Sequence, residues 1–253
     1  MVYKGYLIDL DGTMYKGQAP IKEAAPFIRR LKEKGLPHLF VTNNSTSSPE
    51  DVARKLNKQF DIPADFKDIY TSSLATADYL KTLEGTRVFL VGEKGLAEAL
   101  TLAGFELVEE DPDHVVVGLD RELTYEKLTK AVLAIQKGAT FIGTNKDTNL
   151  PTERGLTPGA GSLIALIETA TKTPPIFIGK PEKIMMDAAV TKVNLAKEEV
   201  LMVGDNYETD ILAGLNNGID TLLVLTGFTS KDDLVTLAEQ PTYVVDTLDD
   251  WEV

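Results

Sequence analysis

Short runs of hydrophobic residues alternate with stretches of helical periodicity along almost the whole chain. In the stretches, apolar residues recur every three or four positions, as at Ile21, Ala24 and Ile28, which predicts helices. The runs predict strands at residues 6–8, 36–41, 69–70, 88–91, 114–118, 140–142, 176–178, 200–203, 221–225 and 243–245. Because strands alternate with helices, the sequence predicts an α/β fold with a doubly wound parallel sheet.

Four polar clusters each follow a predicted strand directly. They are Asp9-Leu10-Asp11-Gly12-Thr13, Thr42-Asn43-Asn44, Gly179-Lys180-Pro181 and Gly204-Asp205, the last followed by Asp210. In a doubly wound sheet the carboxyl ends of the strands open on one edge, where ligands bind. We therefore expect the four clusters to face one crevice, although they lie far apart in the chain.

The acidic residues of these clusters suit the cleavage of a phosphate ester. An ionised aspartate can attack phosphorus without a general base and form an aspartyl-phosphate, so Asp9 is the predicted nucleophile. Asp11 is the predicted general acid and base. A Mg²⁺ ion would relieve the repulsion between carboxylate and phosphate, and it prefers oxygen ligands. Asp9, Asp205 and the backbone carbonyl of Asp11 are its predicted ligands.

The remaining polar residues of the clusters suit phosphate binding. The Thr42 hydroxyl and the Asn43 backbone N–H can donate to phosphate oxygens, and the Lys180 ammonium can balance the developing negative charge. Asp210 is the candidate for orienting the metal site from outside the ligand set.

Taken together and in this order, the clusters resemble the four motifs of the haloacid-dehalogenase-like superfamily of phosphohydrolases. Finer details are similar to its NagD-like, p-nitrophenylphosphatase branch. They are Thr-Asn-Asn at 42–44, Gly-Lys-Pro at 179–181, Gly-Asp-Asn-Tyr-Glu-Thr-Asp at 204–210 and the segment 155–161. The resemblance covers essentially the whole chain. It implies a Rossmann-like core, a magnesium cofactor and phosphoric monoester hydrolysis.

The long interval between Thr42 and Lys180 indicates an inserted domain, because it exceeds what one strand–helix unit needs. Residues 1–82 and 176–253 are predicted to form the catalytic core, and residues 83–175 an α/β cap that closes over the crevice and selects the substrate. The turn at Thr144-Asn145-Lys146-Asp147 is a candidate for reaching that substrate.

Composition narrows the class of partner. The formal net charge of −13 disfavours nucleic acid and anionic membranes, so a small phosphorylated metabolite is the expected partner. The absence of cysteine excludes disulfides and thiolate metal sites. With no apolar stretch of membrane-spanning length and no secretory leader pattern, we expect a cytoplasmic protein. The sequence leaves a homo-oligomer open.

Plainer structural interpretations apply to several other residues. A calcium loop starting at Asp9 is disfavoured, because Thr13 and Met14 stand where an acidic or amide residue and a glycine are needed. The glycine run at 155–161 matches no nucleotide-loop pattern and is expected at the tight start of a helix. His38 and His114 are expected to be core or edge residues rather than ligands.

Two alternatives to a phosphatase stay open at the level of sequence. One is a phosphomutase or another phosphotransferase of the same superfamily. The other is a non-catalytic module that senses a ligand. Carbon–halogen hydrolysis is disfavoured because it needs neither Asp11 nor Asp205. Sugar phosphates, nucleoside monophosphates and pyridoxal phosphate all stay open as substrates.

Overall fold

The computed structural model describes residues 3–253, and its elements alternate as the hydrophobic pattern predicts. The strands are β1 (Gly5–Ile8), β2 (Tyr15–Lys16), β3 (Ala19–Pro20), β4 (His38–Thr42), β5 (Ile69–Thr71), β6 (Arg87–Val91), β7 (Glu106–Leu107), β8 (His114–Val117), β9 (Thr140–Gly143), β10 (Asn149–Thr152), β11 (Gly155–Pro158), β12 (Ile176–Phe177), β13 (Val200–Gly204), β14 (Asp220–Val224) and β15 (Tyr243–Val245). The helices are α1 (Ala24–Glu33), α2 (Pro49–Phe60), α3 (Ser72–Leu80), α4 (Lys94–Leu102), α5 (Tyr125–Gln136), α6 (Ala160–Thr171), α7 (Lys183–Val193), α8 (Leu212–Leu215) and α9 (Lys231–Leu234).

Two compact units divide the chain. The first contains the chain up to Thr42, Pro49–Tyr70 and Lys180–Val253, and the second contains Asn43–Ser48 and Thr71–Gly179. Residues 43–48, 71–82 and 176–179 thus belong to the second unit, whereas the sequence assigned them to the core. The assignment of residues 83–175 as a cap that selects substrate stays a prediction.

The first unit is built on a sheet with the strand order β15-β14-β13-β1-β4-β5. Strand β1 pairs in parallel with β13 on one side and β4 on the other, with Ile8 opposite Val203 and Phe40. All four residues of β1 and all five of β13 are buried, which explains why their sequences are continuous apolar runs rather than alternating ones. The register brings the carboxyl ends of these neighbouring strands to the same edge.

Helices cover both faces of this sheet. On one face, Ile8, Phe40 and Val203 share a hydrophobic core with α1 and α2, which contribute Phe27 and Leu56 among others. Helices α7 and α8 contact the strands β1, β4 and β13 from the other face. Successive side chains of a strand point to opposite faces of the sheet, so they pack alternately into the hydrophobic cores on the two faces. The doubly wound parallel sheet that the sequence predicts is therefore confirmed.

The second unit contains a separate parallel sheet with the order β12-β9-β8-β6-β7. Its core joins Val91, Val115 and Val117 to residues of α5 and α6, including Ile135 and Ile164. Strand β12 belongs to this sheet, because Ile176 pairs with Ile142 of β9. Placing the strand at 176–178 in the catalytic core was therefore wrong. A buried parallel strand has the same apolar pattern in either sheet, so the pattern alone could not assign it.

Several short strands escape the hydrophobic pattern. Strands β10 and β11 form an antiparallel hairpin that turns at Glu153 and Arg154, directly before Gly155, where φ is +107°. The glycine run therefore contains a hairpin strand as well as the start of α6. Most residues of this hairpin are exposed, so their sequence carries no strand-like alternation of apolar and polar residues. Strands β2, β3 and β7 have two residues each, too short to give a periodic signal.

None of the helices within residues 3–253 is long and apolar enough to cross a membrane.

Candidate active site

The nucleophile predicted from the sequence lies directly beyond the central strand of the first unit. The Asp9 backbone N–H donates to the carbonyl of Val203 at 2.8 Å, so the pairing of β1 with β13 continues to this residue. A tight turn follows, closed by the N–H of Met14 donating to the carbonyl of Leu10 at 2.7 Å. Gly12 has a φ of +95° in this turn, a backbone conformation that residues other than glycine rarely adopt. Asp9 is buried as a result.

A second turn brings Asp205 and Asp210 together beyond β13. Residues Tyr207–Ile211 form one wide π-type turn. The Asn206 backbone N–H donates to Asp210 Oδ2 at 3.1 Å, which turns the Asp210 carboxylate back toward the end of the strand. A Cβ on Gly204 would overlap Asp210, so this close approach requires glycine. Both carboxylates are buried.

Lys180 joins the two turns. Its Nζ lies 2.6 Å from Asp9 Oδ1 and 2.7 Å from Asp210 Oδ1, and the residue is 1% exposed. One ammonium group thus donates to two carboxylates in an environment that excludes water. Charge-assisted hydrogen bonds of this kind are short and strong.

The carboxylate of Asp205 is held from two sides. Thr13 Oγ1 donates to Asp205 Oδ1 at 3.1 Å, and the backbone N–H of Phe228 donates to Asp205 Oδ2 at 2.7 Å. Thr13 Oγ1 also lies 3.4 Å from Asp9 Oδ2, so its hydroxyl stands between the two carboxylates. Gly12 and Gly227 flank Asp205 so closely that a Cβ on either would overlap its carboxylate.

The electrostatics of the site are dominated by excess negative charge. Burial and the neighbouring Asp210 carboxylate raise the pKa of Asp9 well above its ordinary value, against the opposing effect of Lys180. Burial and Asp210 likewise raise the pKa of Asp205 to about 7. Burial alone would lower the pKa of Lys180, but the carboxylates of Asp210 and Asp9 outweigh it and raise this pKa. Lys180 is therefore a permanent cation among three carboxylates.

The three carboxylates can hold a divalent metal ion. Oxygen atoms of Asp9, Asp205 and Asp210 lie within 4.8 Å of one another, the one such buried group within residues 3–253. When all three carboxylates are ionised, the one ammonium leaves two negative charges uncompensated. A hard divalent cation with oxygen ligands fits both the donor atoms and this charge.

Four of the residues singled out from the sequence contribute their carboxylate or ammonium groups to one cluster, namely Asp9, Asp205, Asp210 and Lys180. Asp11 is exposed and accepts a hydrogen bond from the Gly17 N–H at 3.3 Å, so its carboxylate stands apart from the buried group. Its predicted ligand atom is the backbone carbonyl, and that role stays a prediction.

The predicted phosphate-binding residues Thr42 and Asn43 fall on either side of a unit boundary. Thr42 is buried at the end of β4, beside β1. Asn43 belongs to the second unit, where its Nδ2 donates to Asp147 Oδ1 at 3.1 Å and its carbonyl accepts from Asn145 Nδ2 at 2.8 Å. Phosphate binding by either residue stays a prediction.

Sequence reasoning missed the residues that hold the Asp205 carboxylate. Thr13 belongs to the first cluster, and its hydroxyl close to two acidic residues is a signal in the sequence that could have identified it. The loop at Thr226, Gly227 and Phe228 follows β14, so its position beyond a parallel strand pointed to the same edge. The residue type of Phe228 does not indicate this role, because Phe228 contributes its backbone N–H rather than its side chain.

Family comparison agrees with this geometry. Residues 6–106 match the family described as haloacid dehalogenase-like hydrolase, and residues 177–251 match a second one described as HAD-hydrolase-like. The two matches together cover most of the chain and contain Asp9, Lys180 and Asp205.

Known relatives align over nearly the full length. The chain is 50% identical to 5'-nucleotidase YutF of Bacillus subtilis, over 98% of this chain and 97% of that protein. It is 47% identical to an acid sugar phosphatase of Staphylococcus saprophyticus, over 98% and 96%. A solved structure of a thermostable p-nitrophenylphosphatase mutant from Bacillus stearothermophilus superposes with a TM-score of 0.90 at 52% identity, covering 99% and 98% of the two chains.

The chain belongs to the haloacid dehalogenase-like hydrolase family. It is a phosphoric monoester hydrolase of that family, similar to p-nitrophenylphosphatases. The predicted family, branch and enzyme class are thereby confirmed.

Proposed function

We propose that the chain is a Mg²⁺-dependent phosphatase that hydrolyses small phosphate monoesters through an aspartyl-phosphate on Asp9. The observation that carries this proposal is the group of three buried carboxylates around the ammonium of Lys180. A purely structural ion pair would need one carboxylate for one ammonium. Burying two further carboxylates in the ionised form is unfavourable unless a cation compensates them.

Magnesium is the cation that this donor set favours. It takes hard oxygen ligands, keeps several of its waters and therefore needs only a few protein ligands. Asp9 and Asp205 would hold it with the backbone carbonyl of Asp11, as predicted. Asp210 offers a third carboxylate, but Lys180 and the Asn206 N–H already occupy its oxygens. When bound, the ion would offset the repulsion between Asp9 and an anionic phosphate.

Hydrolysis of the phosphate ester proceeds through two successive displacements at phosphorus. One oxygen of Asp9 attacks, forming a new P–O bond while the bond to the ester oxygen breaks. Asp11 gives its proton to the departing ester oxygen, and the alcohol leaves. Asp11 then removes a proton from a water molecule, which attacks the same phosphorus. The Asp9–phosphate bond breaks, inorganic phosphate leaves, and both carboxyl groups return to their first states.

Lys180 prepares Asp9 for this attack. The Lys180 Nζ donates a hydrogen bond to Asp9 Oδ1 at 2.6 Å. This bond fixes the orientation of the carboxylate before substrate arrives, so little reorganisation is needed during the reaction. Thr13 contacts Oδ2 at the longer distance of 3.4 Å. Oδ2 is therefore the less restrained oxygen and the better placed nucleophilic atom.

The relatives point to small phosphorylated metabolites as substrates. One is called a 5'-nucleotidase and another an acid sugar phosphatase, so nucleoside 5'-monophosphates and sugar phosphates are the first classes to compare. An enzyme discriminates between substrates by their kcat/KM values. A set of phosphorylated metabolites should therefore be compared by kcat/KM rather than by activity at one concentration. Pyridoxal phosphate belongs in the same set. Transfer of phosphate to a second sugar instead of to water would favour the phosphomutase alternative.

The proposal is tested by release of inorganic phosphate from p-nitrophenyl phosphate with and without Mg²⁺. We expect steady turnover that a chelator abolishes and Mg²⁺ restores. Asp9→Asn keeps the shape of the side chain and removes the nucleophile, so its turnover should disappear while its circular dichroism stays unchanged. Asp232→Asn, on the exposed start of α9, is the matched control and should behave as wild type. Turnover by Asp9→Asn at the wild-type rate would rule out the covalent mechanism.

A cytoplasmic location and self-association stay outside this test. The cytoplasmic location expected from the sequence stays a prediction, which fractionation of cells would check. A homo-oligomer stays open as well, and sedimentation of the purified chain would decide it.

A further inference from the structure

The carboxylate of Asp205 is held by two loops that lie far apart in the chain. The first loop supplies Thr13, whose hydroxyl donates to Oδ1 at 3.1 Å. The second supplies the Phe228 N–H, which donates to Oδ2 at 2.7 Å. Gly12 and Gly227 press against the same carboxylate with no space for a Cβ. The orientation of Asp205 therefore depends on keeping both loops at a fixed separation.

The side chain of Thr226 links the two loops directly. Thr226 Oγ1 donates to the carbonyl of Gly12 at 2.7 Å, across 214 positions of sequence. Within residues 3–253 the Thr226 hydroxyl donates to this backbone carbonyl and to no carboxylate of the site, and the residue is partly exposed. Its hydroxyl ties the loop after β14 to the turn after β1.

Other bonds anchor the second loop at its far end. The Thr229 N–H donates to the backbone carbonyl of Asp205 at 3.0 Å, and the Thr229 hydroxyl accepts from the Tyr207 N–H at 2.9 Å. These bonds fix the loop to the end of β13. Thr226 is the contact that fixes it to the Gly12 turn, next to the predicted carbonyl ligand of Asp11.

We propose that Thr226 is a positioning residue for the metal site, which acts by holding the Gly12 turn and the Asp205 carboxylate in the separation that a divalent ion requires. This inference rests on the proposed metal dependence of the site. Partners outside the ligand set commonly change metal affinity by about 10–100-fold when they are removed. The Thr226 hydroxyl donates to the backbone carbonyl of Gly12 rather than to Asp9 or Asp11, so its loss should weaken metal binding more than the chemical step.

Three variants separate this role from a general effect on folding. Thr226→Val keeps the volume and removes the hydroxyl, and Thr226→Ser keeps the hydroxyl. Thr191→Val is the matched control, because the Thr191 hydroxyl also donates to a backbone carbonyl, that of Asp187 at 2.8 Å, on α7. Thr226→Ala repeats the removal of the hydroxyl in case the valine variant does not fold.

The readout is the Kd for Mg²⁺, measured from the rise in thermal midpoint of chelator-treated protein as Mg²⁺ is added without substrate. We expect Thr226→Val to raise this Kd about tenfold, Thr226→Ser to restore it and Thr191→Val to leave it unchanged. The Mg²⁺ concentration giving half-maximal hydrolysis of p-nitrophenyl phosphate should shift in parallel, with kcat at saturating Mg²⁺ near wild type. A purely structural role would lower the metal-free midpoint without shifting the Kd.

The outcomes distinguish this inference from the proposed function. If wild type binds Mg²⁺ and hydrolyses the ester, but the variants that lack the hydroxyl bind Mg²⁺ equally well, only the role of Thr226 is overturned. Failure of Thr226→Ser to restore the Kd also overturns it, because the hydroxyl is then not the cause. If wild type shows no Mg²⁺-dependent shift and no turnover, the proposed function fails first and the role of Thr226 with it.

Discussion

The Nζ of Lys180 lies 2.6 Å from Oδ1 of Asp9, although 171 positions separate the two residues in the chain. Asp9 directly follows the central strand β1 of the first unit, and Lys180 is the residue at which the chain returns to that unit. The same ammonium donates to Asp210 at 2.7 Å. Asp9, the proposed nucleophile, is therefore oriented and partly neutralised by a residue that the chain supplies after the whole second unit has been completed.

Removal of this ammonium should destabilise the fold. Lys180→Met leaves three buried carboxylates without a protein cation, and breaking a buried ion pair by removing one partner destabilises by about 3–5 kcal/mol. We expect a loss of this order in the free energy of unfolding, measured by urea denaturation at neutral pH with a chelator present. Added Mg²⁺ should recover part of the loss, because it supplies positive charge to the same carboxylates.

The control for this variant lies three positions along the chain. Lys183 pairs with Asp187 at the surface of α7, where water screens the charges. Lys183→Met should therefore leave the unfolding curve nearly unchanged. Equal losses in the two variants would mean that the buried carboxylates around Lys180 carry no excess charge.

If Asp11 is the general acid, the effect of Asp11→Asn on turnover should depend on the leaving group of the substrate. Asp11→Asn cannot protonate the ester oxygen, so kcat/KM should fall by about 10²–10⁴ for an alkyl phosphate. The loss should be much smaller for p-nitrophenyl phosphate, whose leaving group departs without a proton. Initial rates on both esters measure this difference, with Asp232→Asn as the control. An equal loss on both esters would argue against Asp11 as the general acid.

His38 should make the stability of the fold depend on pH. Burial lowers the pKa of this imidazole, against the opposing effects of the nearby Asp68 and of the Leu36 backbone carbonyl, and Lys32 lowers it slightly further. Its Nε2 has no hydrogen-bond partner within residues 3–253, so a proton there would be unfavourable. Its pKa is thus lower in the folded state than in the unfolded state, where it is near 6.5.

The unfolded state therefore binds more protons than the folded state at pH values between these two pKa values. The contribution of His38 to stability is fully present above about pH 6.5 and is lost as the pH falls toward the folded-state pKa. His38→Gln cannot titrate, so the difference in unfolding free energy between wild type and this variant should decrease from pH 7.5 to pH 5. Urea denaturation at several pH values measures it. A difference that stays constant or grows would contradict the assignment.

Much of the first unit and its charged cluster could be predicted from the sequence. The apolar runs before Asp9 and Asp205 identify strands buried on both faces, and the topology of a parallel sheet brings their ends together. Lys180 was also predicted in the site, although for an incorrect reason. The strand before it, β12, lies in the second sheet, and the chain crosses to the first unit between Gly179 and Lys180.

The residues that shape the cluster could not be predicted in the same way. The contact of Thr226 with Gly12 joins a hydroxyl to a backbone carbonyl across 214 positions. Any residue has a carbonyl, so neither partner is marked by its type. The Phe228 N–H is equally unmarked. The hairpin of β10 and β11 was missed because its exposed residues follow no alternation. Contacts made by the backbone, and strands without a buried face, leave little trace in a sequence.

The covalent step at Asp9 is tested most directly by trapping the enzyme during turnover. Acid quench of the wild-type protein with Mg²⁺ and excess substrate, followed by borohydride reduction and peptide mass spectrometry, locates an acyl phosphate on a particular aspartate. We expect Asp9 to be recovered as homoserine in wild type, and we expect no reduced residue in Asp9→Asn. Reduction at Asp11, Asp205 or Asp210 instead, or rapid turnover with no trapped residue under conditions that preserve acyl phosphates, would contradict the assignment of Asp9 as the nucleophile.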